Sequence, residues 1–303
     1  FIVGLGGGST IDAAKSIALM VRNPGLYWDY VTGGSGGGQS PAHAALPVVA
    51  IPTTAGTGSE ADCGSVVTRS GRPEKISWGH PSMFPHLAIV DPDLTLSVPA
   101  ATTAYTGMEA FFQAAEALLT PCRQPTSDML ALEAIQIISR FLPRAVADGT
   151  DREARTMLMW AGSAAGICGS LSSGLWLHPL AQALGAHAPD LPQGAALTHL
   201  SEAYFTWLGE QRPERFDLMA AAMGVPDDAS GADGPEKFVA ALNALIVETG
   251  LIRESLSRWG LKENRIAGVT HTALATRADL IEVTPVAMTP ADVEAILATA
   301  LRG

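Results

Sequence analysis

Apolar residues at 1–5, broken only by Gly4, give way to Gly6-Gly7-Gly8 and then to a segment at 9–21 with helical apolar spacing and with Asp12 and Lys15 in its first turns. This pattern predicts a buried strand, a glycine turn and a helix. A second apolar run at 48–51, bounded by Pro47 and Pro52, predicts another strand. Between the two, Gly33-Gly34-Ser35-Gly36-Gly37-Gly38 reads as a flexible, solvated loop with no helix signal after it. Past Asp91-Pro92-Asp93 the character changes, and from Thr106 the apolar spacing is helical almost to the end. Candidate helices lie near 106–119, 127–146, 152–170, 173–185, 195–209, 235–248 and 290–301. The pattern predicts an α/β domain over 1–98 followed by an all-α helical domain over 99–303.

Two loops in the first part carry candidate chemistry. Glycines at a strand-to-helix turn let a ligand approach the backbone, and the free amides of the following helix N-terminus favour an anion. The same glycines can serve as turn punctuation alone. Directly after the second strand comes Pro52-Thr53-Thr54-Ala55-Gly56-Thr57-Gly58-Ser59-Glu60, rich in hydroxyl and amide donors. A strand's carboxyl end is where open α/β sheets bind ligands, so the two loops reinforce one another.

Composition narrows the partner. A hydrophobic content of 47% with 16% charged residues supports a sizeable core, and a net charge of -11 argues against nucleic acid or an anionic membrane surface. A small molecule is the expected ligand. Cys63, Cys122 and Cys168 form neither a CxxC pair nor a disulfide framework, which predicts a reducing, cytoplasmic address. The stretch 156–177 has no charged side chain and the length of a bilayer span, but Gly162, Gly166 and Gly169 fall near helical spacing. That predicts a helix packed closely on neighbours inside a soluble domain. The chain opens without Met inside an apolar strand, so its natural beginning is expected to be missing.

Taken in order, Gly6-Gly7-Gly8-Ser9 with Asp12 and Lys15, then Thr53 to Glu60, Asp91-Pro92-Asp93-Leu94, Thr106-Gly107-Met108, Thr284-Pro285-Val286 and Thr289-Pro290-Ala291-Asp292-Val293 resemble the iron-containing (group III) alcohol dehydrogenases. The resemblance runs over essentially the whole chain. It implies an N-terminal dinucleotide-binding α/β domain whose first strands precede Phe1, a helical C-terminal domain, and a cleft holding NAD or NADP, substrate and a divalent metal. It implies that Gly6, Gly7, Gly8 and Ser9 hold the pyrophosphate with Asp12 nearby, and that Thr53, Thr54 and Thr57 line the phosphates and nicotinamide ribose. Lys75 falls where the family has a cofactor-contacting lysine; the residues alone read it as a solvated surface lysine. A small aldehyde or alcohol is the implied substrate, and a homodimer or larger homo-oligomer the implied assembly.

The metal positions depart from the family. Where the resemblance implies an Asp and a His four residues apart, then two further histidines, this chain has Glu109, Gln113, His178 and Gln193, with Gln182 replacing another histidine near the substrate. Imidazole binds iron or zinc through a basic nitrogen, whereas a glutamine carbonyl is a weak, neutral donor. Glu109 and His178 are thus expected to form a weak metal site or none, with His178, Gln113, Gln193 and Gln182 as candidate catalytic groups. Glu116, seven residues after Glu109, is expected to buttress the site. The rival readings are a conventional metal-dependent dehydrogenase, a cyclase of the dehydroquinate-synthase class, and a non-catalytic dinucleotide-binding paralogue. His187 and His199 are expected to be structural, His80 and His86 surface or hinge groups, and Trp160, Trp176 and Phe205 core or pocket wall.

Overall fold

The computed structural model of the protein describes residues 1–226, 231–251, 255–276 and 284–302. The first strand, β1 (Ile2–Gly6), leads through Gly7 into helix α1 (Gly8–Met20), and a single helical turn, α2 (Tyr27–Tyr30), follows. Strand β2 (Val48–Pro52) lies parallel to β1 with Gly6 opposite Pro52, and the two-residue β5 (Leu87–Ala88) adds to the other edge of β2. Because β1 and β2 are parallel, both carboxyl ends, and both candidate loops, emerge on the same side. Ile11, Ala14, Ala18 and Leu19 form the buried stripe of α1.

An antiparallel hairpin, β3 (Gly64–Thr68) and β4 (Lys75–Gly79), stands between β2 and β5 in the chain and was not foreseen in the sequence. Each strand is only five residues long and carries too short an alternation to stand out. The glycine loop after α2 is exposed but not slack. Gly34 N donates to Ala275 O at 2.9 Å, which pins the loop to the helical part, and Gly37 N donates to Trp28 O at 2.9 Å, which folds it back on α2.

The rest of the described chain is helical: α3 (Ala100–Leu119), α4 (Pro125–Ala147), α5 (Arg152–Ser172), α6 (Leu177–His187), α7 (Gln193–Gln211), α8 (Phe216–Ala222), α9 (Gly234–Glu248), α10 (Ile266–Thr276) and α11 (Pro290–Arg302). An N-terminal α/β domain followed by a helical domain is therefore the observed architecture. Of these helices α8 and α10 were not foreseen. The helical core closes around Phe111, Phe112, Phe205, Phe216 and Phe238, whose ring centroids lie 5.2–6.4 Å apart. Trp176 and Phe205 are buried as expected, but Trp160 is 42% exposed on α5 and belongs to neither core nor cavity wall. Among the described residues no helix is long and apolar enough to cross a membrane.

The two parts meet through α5. Gly58 sits in the left-handed region at φ +65°, and a Cβ added there would lie 2.5 Å from Gly166 Cα and 2.8 Å from Gly162 O. The close packing expected of the 156–177 stretch is thus realised against the threonine loop after β2. Ser163 on the same helix donates to the buried Glu60 carboxylate at 2.6 Å, and burial raises that carboxyl above its ordinary range.

Candidate active site

A cavity of about 720 Å³ opens where the two strand-end loops face α3, α6 and the start of α7. Its α/β wall is built from α1. No side chain caps that helix at Gly7, and Gly7, Gly8 and Ser9 line the cavity. A Cβ on Gly8 would lie 2.6 Å from Thr57 Oγ1, so only glycine lets the threonine loop close against the helix start. Thr54 and Thr57 complete this wall. Gly6 and Thr53, expected as cofactor contacts, do not line it. They face each other across the end of the ladder, with Thr53 N donating to Gly6 O at 2.9 Å.

Below the loops lies a buried polar network. Asp12 accepts from Ser59 Oγ at 2.6 Å and Val66 N at 2.8 Å; burial pushes its carboxyl up to about 6, against the pull of the Lys15 ammonium and these two donors. The Lys15 ammonium is fully buried and donates at 2.8 Å each to Ser59 Oγ, Asp62 Oδ1 and Gly64 O. Burial also raises the Asp62 carboxyl. Asp12 still borders the cavity, but its bonds tie α1 to the threonine loop and β3. This network was not foreseen beyond the presence of Asp12 and Lys15; their i, i+3 spacing on one helix face was the available signal.

The opposite wall gathers the rewritten positions. Glu109, Gln113 and Glu116 project from one face of α3, His178 and Gln182 from α6, and Gln193 from the first residue of α7, and all line the same cavity. Glu116 has no exposed surface, and it serves two groups at once. Its Oε2 pairs with His178 Nδ1 while its Oε1 accepts from Leu177 N at 2.8 Å. The expected buttress is present, and it sets the direction of the imidazole. Burial raises the Glu109 carboxyl, with the His178 and Lys75 charges opposing. Gln113 Nε2 fits against Gly169, where a Cβ would lie 2.7 Å away. Gln182 is 5% exposed, and its Oε1 has no hydrogen-bond partner among the described residues.

Lys75 corrects the residue-level reading. It lines the cavity instead of the surface, and its Nζ donates to Gln193 Oε1 at 2.8 Å. Burial lowers its pKa, with Glu109 opposing. Four other histidines lie elsewhere. His187 Nε2 bonds with Thr272 Oγ1 at 3.0 Å, His199 packs its ring edge-on to Trp259, His80 caps the turn at Pro81, and His86 is exposed.

Comparison with known families decides the lineage. The model described as "Iron-containing alcohol dehydrogenase" matches residues 1–92, and that described as "Fe-containing alcohol dehydrogenase family, C-terminal" matches residues 103–301. The chain belongs to the iron-containing alcohol dehydrogenase family. Within it, the chain is 31% identical over 303 residues to long-chain-alcohol dehydrogenase 1 of Geobacillus thermodenitrificans, spanning 100% of this chain and 75% of that one. Among solved structures it superposes with a TM-score of 0.93 on an archaeal halo-thermophilic alcohol dehydrogenase from a Red Sea brine pool, at 31% identity over 99% of this chain and 76% of that one. Sulfoacetaldehyde reductase from Bifidobacterium kashiwanohense, solved with NAD+, gives a TM-score of 0.83 at 30% identity, over 99% and 76% of the two chains. At positions 109, 178, 113 and 193 the cavity presents one carboxylate, one imidazole whose Nδ1 is engaged by Glu116, and two amides, one of which holds the Lys75 ammonium.

Proposed function

We propose that this protein is an NAD(P)-dependent oxidoreductase that moves a hydride between nicotinamide and a small alcohol or aldehyde, without a tightly bound transition metal. The carrying observation is the cavity itself, which joins an uncapped helix N-terminus and a threonine loop on one wall to an oriented histidine and three amides on the other. The α/β wall fits a dinucleotide: Gly7, Gly8 and Ser9 would hold the pyrophosphate through their amides, and Thr54 and Thr57 its phosphate and ribose oxygens. Bound there, the cofactor supplies the hydride chemistry. NAD is the expected form, in keeping with the NAD+ complex of the sulfoacetaldehyde reductase. The domains over 1–98 and 99–303 supply one wall each.

Iron or zinc does not fit the other wall. A transition-metal site needs basic nitrogen or charged oxygen ligands, and ligand identity and count define such sites. Here two of four donor positions are neutral amides, and an ammonium is bonded to the oxygen of one. His178, aimed by Glu116, is placed to give a proton to the reacting oxygen, and Gln113 and Gln182 offer amide hydrogens. The test combines elemental analysis of purified protein with NADH oxidation over an aldehyde panel, with and without EDTA. Turnover by metal-free protein supports the reading. Chelator-sensitive turnover with stoichiometric iron or zinc would mark a conventional dehydrogenase held by Glu109 and His178, and cofactor binding with no turnover would mark a non-catalytic paralogue.

A further inference from the structure

The metal-free reading leaves a question of charge. When hydride reaches a carbonyl carbon, the π electrons of the C=O bond move to oxygen, which carries negative charge until it takes a proton. Amide dipoles stabilise such charge, but bonds from an ionised donor are about twice as strong. Among the described residues that line the cavity, Lys75 is the only lysine or arginine.

Its placement is built from three directions. The backbone of Lys75 is fixed in β4, paired with Thr68 on β3. Its stem crosses Gly185 of α6, where an added Cβ would lie 3.3 Å from Nζ. Its ammonium ends on Gln193 Oε1 at the first residue of α7. Gln193 takes one of three N–H donors, and among the described residues no other acceptor is bonded to Nζ. The ammonium is thus anchored at the start of α7, where the Glu109 and Asp12 charges both act on it.

We propose that the Lys75 ammonium, held by Gln193 Oε1, is the positive charge that holds the reacting substrate oxygen, with Gln193 as its positioning residue. This rests on the metal-free reading above. In the reducing direction the nicotinamide of NADH gives one hydrogen and two electrons to the carbonyl carbon and is oxidised. The oxygen's new electron pair faces Lys75, and the proton that completes the alcohol comes from the ring nitrogen of His178 that Glu116 does not hold. The ammonium stays protonated throughout and serves as a fixed charge.

The experiment compares wild type, Lys75→Met and Lys75→Arg by three readouts: NADH affinity from fluorescence, kcat and KM on the aldehyde panel, and bound metal by elemental analysis. Loss of one such donor costs about 10²- to 10³-fold in kcat, so Lys75→Met is expected to fall by that much while its NADH Kd stays within about twofold. Lys75→Arg keeps the charge and is expected to recover at least about tenfold of the loss. Retained NADH affinity also reports that the Met variant has folded. A roughly tenfold rise in NADH Kd with kcat unchanged would place Lys75 on the cofactor and overturn the inference. So would an unchanged kcat in a metal-free Lys75→Met enzyme, which leaves the broader reading standing. Stoichiometric, EDTA-removable metal required for turnover would instead sink the broader reading, whatever the lysine variants do.

Discussion

Replacing Gly58 by Ala tests how the threonine loop is held to the helical domain. Two costs add. The left-handed backbone at φ +65° is unfavourable for any residue with a Cβ, by about 1–2 kcal/mol. The new methyl would also lie 2.5–2.6 Å from Gly166 Cα and N, atoms of a helix that cannot yield locally, and such overpacking costs about 1–3 kcal/mol. The expected loss is about 2–5 kcal/mol. Gly71→Ala provides the control: φ there is +78° but nothing lies within 4 Å, so only the backbone cost of about 1–2 kcal/mol remains. Gly166→Ala tests the contact from the other side. It gains about 1 kcal/mol of helix propensity, yet its methyl would collide with Gly58 O and lie 2.8 Å from Gly58 Cα, so it is expected to be neutral to about 2 kcal/mol destabilising. Urea unfolding followed by tryptophan fluorescence and circular dichroism reads all three, provided the two probes give one transition. The double variant should lose less than the sum, since a loop already lifted by one methyl has room for the other. A Gly58→Ala protein no less stable than Gly71→Ala would refute the close-packing argument.

Three further outcomes follow from the buried polar groups. Asp12 titrates near 6 in the fold against its ordinary 3.8, so the folded state holds more protons between those values. Its contribution is complete below about pH 4 and disappears as pH rises through 6, worth up to about 3 kcal/mol; Asp12→Asn should flatten this fall in the pH series of urea midpoints, and an unchanged slope would count against it. Glu116→Gln keeps the shape but weakens the grip on His178, and a drop of about 10- to 100-fold in kcat with unaltered NADH affinity is expected from steady-state kinetics and fluorescence. Arg155, buried on α5, donates to Gly149 O, Thr103 Oγ1 and Val98 O at 2.7–3.1 Å. Arg155→Lys cannot reach all three, and should cost about 1–3 kcal/mol for each acceptor left unpaired, measured by thermal unfolding.

The elements that were legible in the sequence are those whose signal is local. The strand, glycine turn and helix at the start, the second strand, and the long amphipathic helices each announce themselves within a dozen residues. Even the stacking of 156–177 against a neighbour was legible, because small residues at helical spacing have few other uses. The hairpin carrying Lys75 was not, since a five-residue strand offers only two or three alternations. The burial of Lys75 was still less so: it depends on Gly185 and on Gln193, the latter 118 positions away in the chain. The bond from Thr53 N to Gly6 O was likewise illegible, because it depends on the parallel pairing of β1 and β2 and not on either motif alone.

Two lysines lie near the cavity, and their bonding separates their roles. Lys15 spends all three donors on Ser59, Asp62 and Gly64, with no exposed surface, so its charge is fully committed to holding α1 against the loop and the hairpin. Removing its partner Asp62 would strand a buried ammonium, a loss of about 3–5 kcal/mol that belongs to the fold. Lys75 is bonded to a neutral amide oxygen, which orients the ammonium without cancelling its charge. A group held by a carboxylate is a clamp; a group held by an amide keeps its field for whatever enters the cavity. On the proposal made above, Lys75 supplies the positive charge at the reacting oxygen, and the Gln193 amide is what aims it.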